Sequence, residues 1–318
     1  DELPALLTVD QALAANSRFE QGPVVWTKGD AASAIARAPL VTEGSFEVGG
    51  QEHFYLEGQV AFALPGDDGG VSIVSSTQHP TEIQHKVAHA LHLPMSAVRV
   101  ETRRMGGGFG GKESQGNALA IACAWAARAT GRPCKMRYDR DDDMMITGKR
   151  HDLRIKYRVG HDAEGRILGI EFTHLFRCGW SQDLSLPVAD RAMLHADNCY
   201  HLPDIRIESH RLKTNTQSAT AYRGFGGPQG MIGIERVMDR ISGFMIHYNC
   251  ENADFDLFDQ QLTRIEDEFG SLLARLTWVS LGGGIHFTGE GYPVAKLAAR
   301  LKAFSERFGV QVYLEPGE

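Results

Sequence analysis

Long apolar runs are missing from this sequence. None of its 318 residues belongs to a stretch near the ~20 apolar residues that span a bilayer, so no membrane partner is expected. The opening segment "DELPALLTVDQALA" is acidic and has no apolar core, so it does not read as a signal peptide. Cysteine is scarce too. Cys123, Cys134, Cys178, Cys199 and Cys250 form no CxxC pair, and five cannot all pair internally. Reduced thiols in the cytoplasm are the expectation. A surplus of positive charge is also absent. A formal net charge of −7 and 8% aromatic residues argue against a nucleic-acid-binding face. The length leaves room for about two or three domains with a substantial core.

Glycine, by contrast, is plentiful and patterned. "RRMGGGFGGKES" occupies residues 103–114, and "AYRGFGGPQG" at 221–230 repeats its Gly-Phe-Gly-Gly. Glycine weakens helices and strands, so two such clusters need a reason. Two tight loops are one reason. The other is close approach of backbone N–H groups to an anion. The first cluster lies between the strand-like "AVRVETRRM" and a helix beginning near Ser114, the geometry that aims a helix dipole at an anion. It is not a nucleotide P-loop, because GxxxxGK is followed by Glu113 rather than Ser or Thr. Arg223, just before the second cluster, can present a fixed guanidinium to developing negative charge, or serve as a structural ion-pair partner. Gln78, at a strand end before His79-Pro80, adds a neutral donor and acceptor.

The pattern of the chain changes near residue 241. Before it, short strands mix with occasional helices. "EHFYLEGQVAFALP" and "VSIVSSTQ" read as strands, and "HDLRIKYRVGHDAEGRILGIEFTHLF" reads as a hairpin around Asp162–Gly165. "TEIQHKVAHALHL" and "SQGNALAIACAWAARATG" have helical spacing, the second stopping at Gly131. "PQGMIGIERVMDRI" enters a helix at Pro228 and puts Met231, Ile234, Met238 and Ile241 on one face. This is an α+β pattern. From Ser242 the strands "FMIHYN", "WVSLGG" and "VQVYLEP" alternate with two long amphipathic helices, a parallel β/α pattern. Residues 242–318 carry 6 Lys+Arg against 11 Asp+Glu, and no linker-like composition separates the halves.

Together, "GQEHFYLE", "STQHPTEIQ", "RRMGGGFGGKES", "DRDDDMMITGKRH" and "AYRGFGGPQG" resemble the molybdenum-binding subunit of the xanthine dehydrogenase family, in its order and spacing over residues 1–241. The resemblance implies a partial molybdopterin-binding domain whose glycine loops hold a molybdenum–pyranopterin cofactor. Phe109 and Gly110 would offer backbone N–H groups near the metal, and Gln78 would hydrogen-bond its apical oxo ligand. No protein side chain is assigned as a metal ligand. Glu113 and Arg223 would grip the two ends of a purine, which points to hypoxanthine and xanthine rather than aldehydes. The resemblance also implies an iron–sulfur/FAD subunit as electron-accepting partner. The family's general base and further cofactor loops lie beyond the matched segment, so the chain alone is expected to be inactive.

Residues 242–318 resemble a different family. "HYNCEN", "WVSLGGGIHFTGEGYP" and "LKAFSERFGVQVYLEPGE" are similar to carboxynorspermidine decarboxylase, a pyridoxal-phosphate enzyme of the alanine-racemase-like barrel class. That implies three β/α units of an incomplete barrel. His247 would stack on the pyridine ring, and Gly282, Gly283 and Gly284 would cradle the phosphate. Glu315 would face the pyridine nitrogen. The Schiff-base lysine of that family has no counterpart, since Lys296 and Lys302 sit within a helix. The expectation is a chimera of two enzyme fragments joined near 241–242, with uncovered apolar faces. The helix at 228–241 should then lack its packing partners. Molybdenum hydroxylase, pyridoxal-phosphate decarboxylase and inactive chimeric polypeptide are the three functional readings.

Other features read as ordinary structure. His85, His89 and His92 would stack on one helix face, with no carboxylate or cysteine to complete a zinc set. Asp139–Asp143 reads as a solvated turn lacking EF-hand spacing. Cys250 lies near His247 without an orienting third group, and His286 reads as exposed.

Overall fold

The protein is described by a computed structural model over residues 4–162, 165–241, 244–245, 254–276, 278–282, 287, 289 and 291–314. Two sheets carry the part before residue 242. The first comprises β3 (Val60–Pro65), β4 (Val71–Ser75), β5 (Val98–Glu101) and β6 (Cys134–Arg137), in the order β5-β4-β3-β6. Alternate residues Ala61, Ala63, Ile73 and Val98 point to one face and are nearly inaccessible. There they meet Ile83 and Val87 of α3 (Pro80–Ala90) and Leu119, Cys123 and Ala127 of α4 (Asn117–Thr130). Helix α4 ends on Gly131 at φ 65°, the left-handed stop its sequence announces.

The second sheet has five strands. These are β1 (Val24–Lys28), β2 (Leu40–Val48), β7 (Leu153–His161), β8 (Ile167–Gly179) and β9 (Ile205–Lys213), ordered β1-β9-β8-β7-β2. The β7–β8 hairpin turns at Asp162–Gly165 as expected, with Gly165 N–H donating to the Asp162 carbonyl at 3.2 Å. On one face lie α1 (Val9–Ala14) and α2 (Ala31–Arg37). On the other lie α6 (Ser185–Leu194) and α7 (Gly227–Ile241), packed on Ile155, Val159, Ile170 and Phe172. After residue 241, β10 (Phe244–Met245), β11 (Trp278–Ser280) and β12 (Gln311–Tyr313) form a parallel sheet with α8 (Phe255–Leu273) and α9 (Val294–Phe308) as crossovers. Phe258, Leu262, Val279, Leu297 and Phe304 make its core. The strand–helix alternation expected of this segment is present. The described strands number three and close no barrel.

Three expectations change. "EHFYLEG" is a loop rather than a strand: Phe54 turns it at φ 51°, and its polar groups bond to the rest of the domain rather than to a ladder. The aspartate run opens a helix rather than a turn, with Asp139, Asp141 and Asp142 solvated as expected and Asp143 buried. Asp139 caps α5 (Arg140–Ile146), its Oδ1 accepting from Asp142 N–H at 2.8 Å, and Asp143 is only 2% exposed. Helix α7 does not lack partners within the chain. Ile234 and Val237 are fully buried, and Met238 and Ile241 pack beside them. The apolar pattern overlooked the small-residue side of this helix, where Gly230 brings its backbone against α6.

That contact gives a paired expectation. A Cβ on Gly230 would lie 2.1 Å from the Ala192 carbonyl oxygen, whereas one on Gly233 would meet nothing nearer than Ile155 Cδ1 at 3.4 Å. Alanine normally gains about 1 kcal/mol over glycine in a helix. Gly230→Ala should nonetheless lower stability by about 1–3 kcal/mol through overpacking, while Gly233→Ala should not. Urea unfolding of the two variants checks the contrast.

Candidate functional site

The two glycine clusters share the left-handed conformation of their Phe-Gly step, although Gly224 has φ 91° and its counterpart Gly108 is not left-handed. In the first, between β5 and α4, Phe109 and Gly110 have φ of 52° and 96°. In the second, leading into α7, Phe225 and Gly226 have φ of 49° and 91°. A left-handed phenylalanine costs on the order of 1–3 kcal/mol and persists only where its surroundings enforce it. Finding that cost twice, at the same Phe-Gly step of both clusters, marks both as built features rather than idle loops.

The turns touch. A Cβ on Gly110 would fall 2.8 Å from the Ala221 carbonyl and 3.0 Å from Tyr222 N, so only glycine admits this backbone-to-backbone approach. His53 completes the joint. Its Nε2 lies 2.7 Å from the Ala221 carbonyl oxygen, and its ring sits 4.9 Å from that of Tyr222. Burial holds the His53 pKa below its ordinary value, favouring the neutral ring, with Nε2–H donating to Ala221. The glycines therefore serve first to join two backbones, and the approach to an anion is left to fewer donors than expected. Gly110 N–H already donates to Gln78 Oε1 at 2.8 Å, and Phe225 N–H to the Tyr222 carbonyl at 2.7 Å. Phe109 N–H has no partner among the described residues.

Gln78 is fixed to the first turn at both ends of its frame. Its main-chain N–H donates to the Lys112 carbonyl at 2.8 Å, and its Oε1 accepts from Gly110 and, at 3.2 Å, from Lys112. Its side-chain NH2 is left without a partner among the described residues, on an exposed side chain.

Beneath the first turn lies a scaffold that sequence reasoning passed over. The Lys112 ammonium is 1% exposed and donates to the Glu57 carbonyl at 2.6 Å and Ser76 Oγ at 2.7 Å. Burial pulls its pKa down, against the opposing carboxylate of Glu57. Glu57 Oε2 in turn accepts from Gly106 N–H at 2.9 Å and Ser76 Oγ–H at 2.6 Å. Further in, Asp143 accepts from Tyr55 O–H at 2.6 Å and Gln59 N–H at 2.7 Å, and Gln59 Nε2 donates to the Gly111 carbonyl at 2.9 Å. Lys112, Tyr55 and Asp143 all stood inside quoted motifs. Only their burial, which no local pattern reveals, distinguishes them from surface polar residues.

Glu113 and Arg223 follow and precede the two turns. Glu113 is half-buried with no hydrogen-bonding or ion-pairing partner among the described residues. Burial pushes its carboxyl pKa up, Asp183 adds to the rise, and His79 opposes it. Arg223 is exposed, and its main-chain carbonyl accepts from Arg150 at 2.8 Å. A second guanidinium stands at this turn. Arg191 of α6 places its Nε 4.0 Å from where a Gly227 Cβ would be, and nothing in the sequence pattern had signalled it. His85 and His89 lie on the exposed side of α3, His92 lies beyond its end, and no metal-holding cluster occurs among the described residues. Gly282 has φ 70°, and its N–H donates to Ser280 Oγ at 3.3 Å. His247, Gly283, Gly284 and Glu315, with Cys250 and His286, lie outside the described residues.

Residues 14–245 match the molybdopterin cofactor-binding domain family. The chain is 46% identical over 238 residues to a xanthine dehydrogenase of Drosophila subobscura, covering 75% of this chain and 18% of that protein. It is 43% identical over 244 residues to a xanthine dehydrogenase/oxidase of Mus musculus, covering 76% and 18%. It thus spans under a fifth of the length of these relatives. Among solved structures, the aldehyde oxidoreductase of Desulfovibrio gigas superposes with a TM-score of 0.66 at 30% identity, over 76% of this chain and 28% of that one. A carboxynorspermidine decarboxylase of Campylobacter jejuni is 44% identical over 26% of this chain and 22% of that one, but its TM-score of 0.24 carries no argument.

The half-buried, unpartnered state of Glu113 has a consequence for stability. Its folded pKa lies above the ordinary 4.5, so the folded state holds the proton more tightly than the unfolded chain. At low pH both states are protonated and the group contributes nothing. As pH rises through the window just above 4.5, ionisation penalises the folded state. Glu113→Gln should therefore gain stability relative to the parent protein across that window and keep the gain above it. Urea midpoints of both proteins, measured as a function of pH, check the sign.

Proposed function

The chain belongs to the molybdopterin cofactor-binding domain family, and on that premise we propose that it forms one wall of a molybdenum-dependent hydroxylase site acting on hypoxanthine and xanthine. The observation that carries the reading is the contact between the two left-handed glycine turns, Gly110 against Ala221–Tyr222. The residues present fit the group. Gln78, held by its oxygen, keeps its NH2 free to donate to it, and Phe109 N–H is a second unspent donor. When bound, the cofactor supplies the two-electron oxidation and the water-derived oxygen of the hydroxylation.

The chain's own groups bind and orient the purine. Glu113, with its raised pKa, accepts or shares a proton with a ring N–H at one end. Arg223 meets the negative charge that develops at the other end, with Arg191 as the neighbouring guanidinium. The acquired electrons pass to an iron–sulfur/FAD module in this reading. The identity of relatives as xanthine dehydrogenases supports a purine over an aldehyde. For residues 242–318 a second reading, a segment of a pyridoxal-phosphate barrel, rests on the sequence resemblance alone; the parallel order β10-β11-β12 supports a β/α arrangement and says nothing of the cofactor. Without a Schiff-base lysine it should show no internal-aldimine absorbance with added pyridoxal phosphate.

The test is molybdenum content together with urate formation from xanthine, with the chain supplied with the remaining cofactor loops and the iron–sulfur/FAD module, in cells that make the cofactor. Bound molybdenum is expected, with rate losses of about 10²–10³ in Glu113→Gln and Arg223→Ala. Undiminished turnover in both variants, or no bound molybdenum, contradicts the reading. A loss in Arg191→Ala with none in Arg223→Ala moves the charge-stabilising role to Arg191.

A further inference from the structure

Arg150 is a buried guanidinium, 7% exposed, with no carboxylate in ion-pair contact among the described residues. The carboxylates nearest in sequence are engaged elsewhere: Glu52 pairs with Lys149 and Asp152 with Arg177, each at 2.8 Å. A buried charge is expensive unless its hydrogen bonds are made. Here every arm of the planar fork is used, and each goes to a neutral acceptor. Nε donates to Gln51 Oε1 at 2.6 Å, Nη1 to Gln229 Oε1 at 3.2 Å, and Nη2 to the Arg223 carbonyl at 2.8 Å. The fork also lies over the Tyr222 ring, 3.9 Å from its centroid.

These partners are the parts of one device. Tyr222 and Arg223 lead into the second glycine turn, and Gln229, 2% exposed, lies in the first turn of α7 behind it. Gln51 belongs to the segment that also carries His53, the residue bonded to Ala221. One guanidinium therefore ties the entry of the turn, its exit helix and the segment that joins it to the first turn.

We propose that Arg150 is a positioning residue, which fixes the main chain at Arg223 so that the second glycine turn stays seated against the first. Its functional weight rests on the reading of that turn as part of the hydroxylase site, whereas its geometry does not. Lysine cannot take its place. An ammonium on a flexible stem reaches one or two of three divergent acceptors and lacks the flat face that stacks on Tyr222.

The experiment reads the turn directly and needs no bound cofactor. Arg223 and Gly224 are exposed, so trypsin can cut between them once the turn opens. In Arg150→Lys, cleavage after Arg223 should accelerate about tenfold, the loss expected for hydrogen bonds to a charged group, with other tryptic sites unchanged. In Arg150→Ala, added guanidinium ion should restore part of the protection, which a general loss of packing would not allow. Parent-like resistance at Arg223 in Arg150→Lys overturns the proposal. If Arg150→Lys is cut rapidly everywhere, Gln51→Ala, which removes one acceptor, decides. A smaller rise confined to Arg223 supports the proposal, and no selective rise overturns it. In the molybdenum-loaded enzyme, Arg150→Lys should lose kcat at unchanged molybdenum content. Turnover at the parent rate beside selective cleavage would overturn the role in positioning for catalysis. An inactive parent, when supplied with the remaining cofactor loops and the iron–sulfur/FAD module, would instead remove the hydroxylase reading and leave the cleavage result standing.

Discussion

The candidate site depends on a contact that only glycine permits, the backbone of Gly110 laid against Ala221 and Tyr222. Any side chain at position 110 would need a φ near 96° and would drive its Cβ into a carbonyl. Two turns more than a hundred residues apart thereby become one surface. The paired left-handed phenylalanines are the cost of that surface, and the domain around them supplies what holds them there.

What holds them is a set of buried polar groups in place of an apolar core. Lys112 and Glu57 secure the first turn from below, Asp143 with Tyr55 and Gln59 extends that support, and Arg150 secures the second turn. Interactions of this kind are costly when incomplete and directional when complete. Directionality suits a site whose donors must point at a ligand. It also explains why the ordinary apolar cores sit apart, under α3 and α4 on one side and between the five-stranded sheet, α6 and α7 on the other. Those cores position the elements, and the polar groups set the turns.

Much of this was legible in the sequence, for stated physical reasons. Period-two alternation located β7 and β8, and a terminal glycine located the end of α4. The repeated Gly-Phe-Gly-Gly located the two turns and, with the surrounding motifs, the family. Three things were not legible. The loop "EHFYLEG" has strand-like composition but places its polar groups in tertiary bonds, which override local preference. The side of α7 that meets α6 carries Gly230, which an apolar pattern does not score. Finally, the role of the glycines themselves was only half visible: they looked like donors to an anion, yet Gly110 spends its N–H on Gln78 and its missing Cβ on the opposing turn.

The contact between the turns can be measured in solution. In isotopically labelled protein, the Gly110 Hα that occupies the direction of a Cβ should give a strong nuclear Overhauser contact to the Tyr222 amide proton. A Cβ there would stand 3.0 Å from Tyr222 N. Observing that cross-peak alongside those within the Gly108–Gly111 turn is the predicted result. Finding the intra-turn contacts intact and the Gly110–Tyr222 contact absent would contradict the account, because the two glycine turns would then be separate loops.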